Sequence, residues 1–152
     1  MTDAVGCTVH GTCVVIGDAG ILIRGGSGTG KSNLALRLID DGARLVSDDQ
    51  VRLRIRGGAV IASAPDTIKG MIKVNGIGLT RLDDERIAGE VPLALLVDLV
   101  GADGIDRLPR PQEEVLMGAR LPRIALSPFE ASAPAKLRLA AGRGTGSIIP
   151  VP

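Results

Sequence analysis

The run Gly25-Gly26-Ser27-Gly28-Thr29-Gly30-Lys31-Ser32 sits between an aliphatic stretch and an amphipathic one, and it constrains the chain more than any other feature. It matches the spacing G-x-x-x-x-G-K-[ST] in full. Glycines let the main chain curl without a Cβ clash, so successive N–H groups can converge as an anion nest. A helix opening near Lys31 adds unpaired N–H groups and the positive end of its dipole. The pattern predicts a phosphate-binding loop made by Gly25, Gly26, Ser27, Gly28, Thr29, Gly30, Lys31 and Ser32. Lys31 would reach the β- and γ-phosphates of a nucleoside triphosphate or related polyphosphate, and the Ser32 hydroxyl would ligate Mg²⁺.

The flanks supply the setting. Val9 to Ile16 is rich in β-branched residues and reads as a strand; Gly17 to Gly20 turns the chain, and Ile21-Leu22-Ile23 returns as a hairpin partner. After the loop, Leu34, Ala35, Leu38 and Ile39 recur at helical steps, and Gly42 suits a left-handed cap just beyond them. Ala43 to Ser47 reads as a strand ended by Asp48-Asp49. Val51, Leu53 and Ile55 alternate with Arg52, Arg54 and Arg56, a half-buried strand with a solvated arginine face, and Gly57-Gly58 leads into its partner Ala59 to Ala62. Pro65 to Gly78 shows no regular pattern. Leu93 to Val97 reads as a central buried strand, Gly101 to Pro111 as a loop, and Leu121 to Leu126 as a strand in which Pro122 fits only a start or an edge. Ala135 to Ala141 fits a short helix after Pro134. The Gly/Pro-rich tail 143–152 is expected to be flexible, leaving 1–142 as one domain.

Composition narrows the function classes. The 152 residues include one Phe and no Trp or Tyr, so the core is aliphatic and no row of aromatic platforms exists for single-stranded nucleic acid. A formal charge of +1 gives no bulk field for nucleic acid or membrane. Met1-Thr2-Asp3 does not open a secretory signal, and Cys7 and Cys13 form neither a disulfide framework nor a zinc pattern. The expectation is a cytoplasmic protein with reduced thiols.

A phosphate loop needs a metal partner, and two acidic positions qualify: the Asp48-Asp49 pair, and Asp98, which follows an aliphatic strand in the manner of a Walker-B aspartate. Pattern alone leaves both open. An aspartate pair can divide labour, one carboxylate serving Mg²⁺ and the other taking a hydroxyl proton.

In their order along the chain, Val9-His10-Gly11, Gly20-Ile21-Leu22-Ile23, the loop, Leu34-Ala35-Leu36-Arg37-Leu38-Ile39, Gly42 to Asp49 and Val51 resemble the catalytic domain of HPr kinase/phosphorylase. The similarity is to a short form without the family's N-terminal domain and runs over approximately Val5 to Gly142. That family phosphorylates a serine of HPr, a carrier protein of the bacterial sugar phosphotransferase system, and removes the phosphate by phosphorolysis. The resemblance implies the α/β P-loop fold shared with phosphoenolpyruvate carboxykinase, a mixed, largely antiparallel sheet with flanking helices. It implies ATP and Mg²⁺, HPr or an HPr-like carrier as partner, and a hexamer. It makes Lys31 and Ser32 the phosphate and metal positions, Asp48 a metal-associated acid, Asp49 the base that takes the serine proton, and His10 its neighbour. Asp106-Arg107 resembles an Asp-Arg pair of a later active-site loop, placing Arg107 near phosphate.

The sequence departs from the family in places. Where the family reads roughly Glu-(Ile/Val)-Arg-Gly-(Leu/Ile)-Gly, this chain has Lys73-Val74-Asn75-Gly76-Ile77-Gly78, and Asn33 stands at a usually acidic position. The glycines preserve a turn, but an acid and an arginine are lost, and with them a possible ligand and a phosphate clamp. Reduced or absent phosphorylase activity fits these changes. So do two alternatives, a nucleotide-binding regulator without catalysis and a kinase for another acceptor.

Overall fold

The structure is a computed structural model that describes residues 6–142; the expected tail at 143–152 lies outside the described residues. Among the described residues, eleven strands and two α-helices follow in the order β1 (Cys7–His10), β2 (Thr12–Ile16), β3 (Ala19–Arg24), α1 (Lys31–Asp40), β4 (Arg44–Ser47), β5 (Gln50–Arg56), β6 (Ala59–Ser63), β7 (Met71–Val74), β8 (Gly78–Arg81), β9 (Val91–Leu99), β10 (Gln112–Leu116), β11 (Ala119–Leu126) and α2 (Ala133–Gly142). Nine strands form one sheet in the order β1-β5-β6-β9-β3-β2-β4, with β10 and β11 joined through β9, while β7 and β8 form a separate hairpin. Only β3–β9 and β9–β11 run parallel; every other pair is antiparallel. The mixed, largely antiparallel α/β architecture is the one the resemblance implies.

Alternation of side chains across the sheet divides the core in two. Ile21 and Ile23 of β3 join Leu34, Ala35, Leu38 and Ile39 of α1 and Leu137 of α2 on the helix side. Leu22 faces the other way and meets Val51, Leu53, Val60 and Ala62, because β1, β5 and β6 curl over that face. Strand β9 serves both cores through an irregularity: Gly20 stands opposite Leu93, but Ile21 stands opposite Leu95, so Ala94 is an extra residue that reverses the facing. Leu93 packs in the second core, and Leu95, Val97 and Leu99 in the first. This is why Leu93 to Val97 reads as an unbroken aliphatic run.

The strand expected over Val9 to Ile16 is two strands. Gly11 breaks it, β1 pairing with β5 and β2 with β3 and β4. The Gly11 N–H bonds to the carbonyl of Asp49 at 3.0 Å, and a Cβ at Gly11 would stand 3.0 Å from the Ile23 carbonyl oxygen. Strand β7 and the turn after it lie in the irregular stretch Pro65 to Gly78, and β8 continues beyond it; the turn uses positive φ at Gly76 (84°) and Gly78 (112°). Strand β10 was also not expected; it closes a hairpin with β11 over Met117 and Gly118, both at positive φ. Pro122 falls where β11 has only β10 beside it, before pairing with β9 begins at Arg123, which is the edge position it requires.

Candidate active site

Residues 25–30 leave the end of β3 and deliver the chain to α1 at Lys31. Gly30 caps the helix in the left-handed region, φ 101°, and offers no side chain to the first turn. The opening N–H groups of α1 therefore remain available to an anion. Thr29 ties the loop to itself, its N–H and Oγ1 both donating to the Gly26 carbonyl. The buried Lys31 side chain runs back along the loop, and Nζ donates to the Gly25 and Gly26 carbonyls at 2.9 and 2.8 Å. An ammonium carries three N–H donors, so it can hold the loop and still address phosphate.

Asp48 and Asp49 are neighbours in sequence and opposites in environment. Asp48 is buried and accepts from Ser32 Oγ at 2.8 and 3.0 Å, from Thr12 Oγ1 at 2.9 Å and from the Lys73 main-chain N–H at 3.0 Å. Three donors thus converge on the two carboxylate oxygens, which can accept them all. Asp49 takes φ 71°, a region that asparagine and aspartate visit more readily than other non-glycine residues. Its side chain is 72% exposed and lies 3.5 Å from Nδ1 of the half-exposed His10. The Gly11 N–H on the Asp49 carbonyl fixes that turn, and such strained positions recur where function demands a particular aim.

Hard oxygen donors at Ser32 and Asp48 fit Mg²⁺. Because the Ser32 hydroxyl spends its proton on Asp48, its lone pairs stay free for a cation. Among the described residues no cluster of three or more His, Cys, Asp or Glu is arranged for a metal. A cation here would take phosphate oxygens and water as its remaining ligands, the usual habit of Mg²⁺.

Asp98 lies elsewhere. It shares the sheet face of Leu22 and Leu96, away from α1, and Arg24 is its cross-strand partner. Arg24 bonds it at 2.8 and 3.0 Å, Arg123 at 2.5 Å, and Arg24 also grips Glu114 at 2.6 and 2.8 Å. Burial opposes ionisation of Asp98, but the bonds from Arg24 and Arg123 outweigh it and hold the carboxyl below its ordinary value. The Arg24 bonds lower Glu114 likewise. Arg24 immediately precedes the phosphate loop, so this cluster anchors the loop's footing.

Arg107 sits in an exposed loop between β9 and β10 and makes no hydrogen bond or ion pair among the described residues; the only side-chain contact nearby is Asp106 accepting from the Leu108 N–H at 3.2 Å. The structure thus bonds Ser32 to Asp48, holds Lys31 on the carbonyls of the loop and sets His10 beside Asp49, while Arg107 joins none of them. Sequence reasoning missed Thr12, an ordinary strand residue by pattern, and the Lys73 main chain, which has no sequence signal. The Lys73 side chain points to solvent, so the loss of the family's acid there leaves the bond to Asp48 in place.

Comparison with known proteins identifies the family. Residues 3–132 match the family model described as the HPr Serine kinase C-terminal domain. HPr kinase/phosphorylase of Bordetella petrii is 42% identical over 110 residues, 68% of this chain and 35% of that protein. The enzyme of the same name from Clostridium botulinum is 48% identical over 71 residues, 47% of this chain and 23% of that protein. The chain therefore spans about a quarter to a third of these relatives' length. A solved structure of the Hpr(Ser) kinase/phosphatase from Coxiella burnetii superposes with a TM-score of 0.81 at 28% identity, covering 91% of this chain and 96% of that one. With the family model matched across most of its length, the chain belongs to the HPr serine kinase C-terminal domain family.

Proposed function

We propose that this protein transfers the γ-phosphoryl group of ATP to a serine of HPr or an HPr-like carrier, with Mg²⁺, in the cytoplasm. The observation that carries the reading is the division between Asp48, buried against Ser32, and Asp49, exposed beside His10. One carboxylate faces the metal and phosphate side, the other faces an incoming acceptor.

In this reading the loop N–H groups and Lys31 hold the β- and γ-phosphates, and Asp48 orients Ser32 toward the cation. Mg²⁺, when bound, neutralises charge on the transferring phosphate. The acceptor serine Oγ attacks the γ-phosphorus in line, the bond to the β,γ-bridging oxygen breaks, and ADP leaves. Asp49 takes the serine proton, and His10 positions its carboxylate. Arg107, carried on the long loop after β9, is assigned to phosphate contact once the acceptor is bound. Residues 1–142 constitute the catalytic domain. The family resemblance supports a hexamer, and the substitutions at Lys73 and Asn75 support reduced or lost phosphorolysis.

The test is incubation of the purified protein with HPr, ATP and Mg²⁺, followed by the reverse assay with phosphorylated HPr and inorganic phosphate. Phosphoserine in the forward direction supports the kinase. Tight ATP binding with no transfer to HPr makes the protein a nucleotide-binding regulator or a kinase for another acceptor.

A further inference from the structure

Phe129 is the single Phe of a chain without Trp or Tyr, and its side chain is left 70% exposed. An aromatic ring carries a large apolar area, so packing alone would favour tucking it away. Instead its tip rests on the phosphate loop. A Cβ added at Gly30 would stand 2.9 Å from Phe129 Cζ and 3.2 Å from Cε1. The contact is made by the far end of the ring, at Cζ and Cε1, and most of the side chain stays open to a flat partner.

The ring is also held in place. Arg37 of α1 donates to the carbonyls of Pro128 and, at 3.3 Å, of Glu130. Its Nε donates to Asn33 Oδ1 at 3.0 Å. Ser127 and Pro128 are buried, and Glu130 is paired with Lys136 at 2.5 Å. The segment around Phe129 is thus strapped to the helix whose first turn forms the anion nest.

We propose that Phe129 is the platform on which the base of the bound nucleotide stacks. This deepens the ATP reading above and rests on it. A polyphosphate seated on the nest brings its nucleoside to the mouth of the loop, where Gly30 and the ring lie together. A nucleobase is planar and apolar on its faces, and stacking on an aromatic side chain is tolerant of base identity because every base has a π-face. Leu, Ile or Val at this position would cover Gly30 equally well but would offer no flat surface.

The test compares Mg²⁺-ATP with Mg²⁺-tripolyphosphate, which carries the phosphates without the base, by titration calorimetry on the full chain. In Phe129→Leu, ATP affinity should fall about tenfold, while tripolyphosphate affinity is unchanged. Phe129→Trp should keep the ATP affinity and supply the protein's single indole, whose fluorescence ATP quenches and tripolyphosphate does not. Equal weakening of both ligands in Phe129→Leu would overturn the proposal in favour of a purely structural prop for Gly30. No change in either would overturn it in favour of a surface covered by another protein. If the unaltered protein binds tripolyphosphate as tightly as ATP, the stacking idea fails while the phosphate loop stands. If it binds neither, the nucleotide reading fails and takes the stacking with it.

Discussion

Ser32 Oγ stands 2.8 and 3.0 Å from the two carboxylate oxygens of Asp48, tying the first turn of α1 to the residue that follows β4. The contact directs the hydroxyl proton inward and its lone pairs outward. Ser32→Ala and Asp48→Asn should each reduce Mg²⁺-dependent ATP affinity by about 10- to 100-fold, the usual effect of losing a metal ligand or its orienting partner. Affinity measured in EDTA should change far less. A large effect in Asp98→Asn with none in Asp48→Asn would move the metal to the other aspartate.

The bond from Lys73 to Asp48 is made by the main chain. Lys73→Ala should therefore leave Mg²⁺-ATP affinity within about twofold. Lys73→Pro removes the N–H donor and should cost about 1–3 kcal/mol of stability, together with a loss of metal-dependent affinity. Thermal melts beside ATP titrations read both quantities, and a large defect in Lys73→Ala would show that the side chain acts after all.

Asp49 is exposed and bonded through its carbonyl, so its carboxylate carries little of the fold. Asp49→Asn should preserve melting temperature and ATP affinity while lowering the rate of phosphoryl transfer to HPr by about 10²- to 10⁴-fold, the range for a lost general base. An unchanged transfer rate would remove Asp49 from that role.

Asp98 and Glu114 titrate below their ordinary values in the fold. The unfolded chain consequently binds more protons as pH falls, and their stabilisation is complete only above the ordinary carboxylate range, about pH 4. It is lost as pH drops further, through the folded values. Asp98→Asn should begin about 1–3 kcal/mol less stable at neutral pH and then lose less than the unaltered protein during acidification. Parallel denaturation curves for the two proteins below about pH 4 would refute this.

Much of the fold was legible where sequence period and packing coincide. The β2–β3 and β5–β6 hairpins, α1 with its terminal Gly42, and the buried β9 all follow from alternation, helical spacing and turn residues. The break at Gly11 was not legible, because β-branched residues continue on both sides of the glycine and only pairing with different neighbours divides the run. The β7–β8 hairpin was hidden for a related reason: Ile77 and Leu79 are apolar yet exposed, so no period emerges. At the site, side-chain chemistry such as Lys31 and Ser32 could be read from spacing. The contacts of Thr12 and of the Lys73 N–H depend on the third dimension. Asp98 shows the limit of a local pattern: an acid after an aliphatic strand is ambiguous until the facing of that strand is known.

That facing turns on Ala94. One supernumerary residue inverts the phase of β9, so that Leu95, Val97 and Leu99 look toward α1 while Asp98 looks toward Arg24 and Arg123. Excision of Ala94 would be a frame error in space rather than in code. Everything downstream to Leu99 would rotate by half a turn, presenting a carboxylate to an aliphatic core and aliphatic chains to two arginines. A conservative replacement such as Ala94→Ser keeps the count and should be silent, so at this point in the chain the number of residues matters more than their identity.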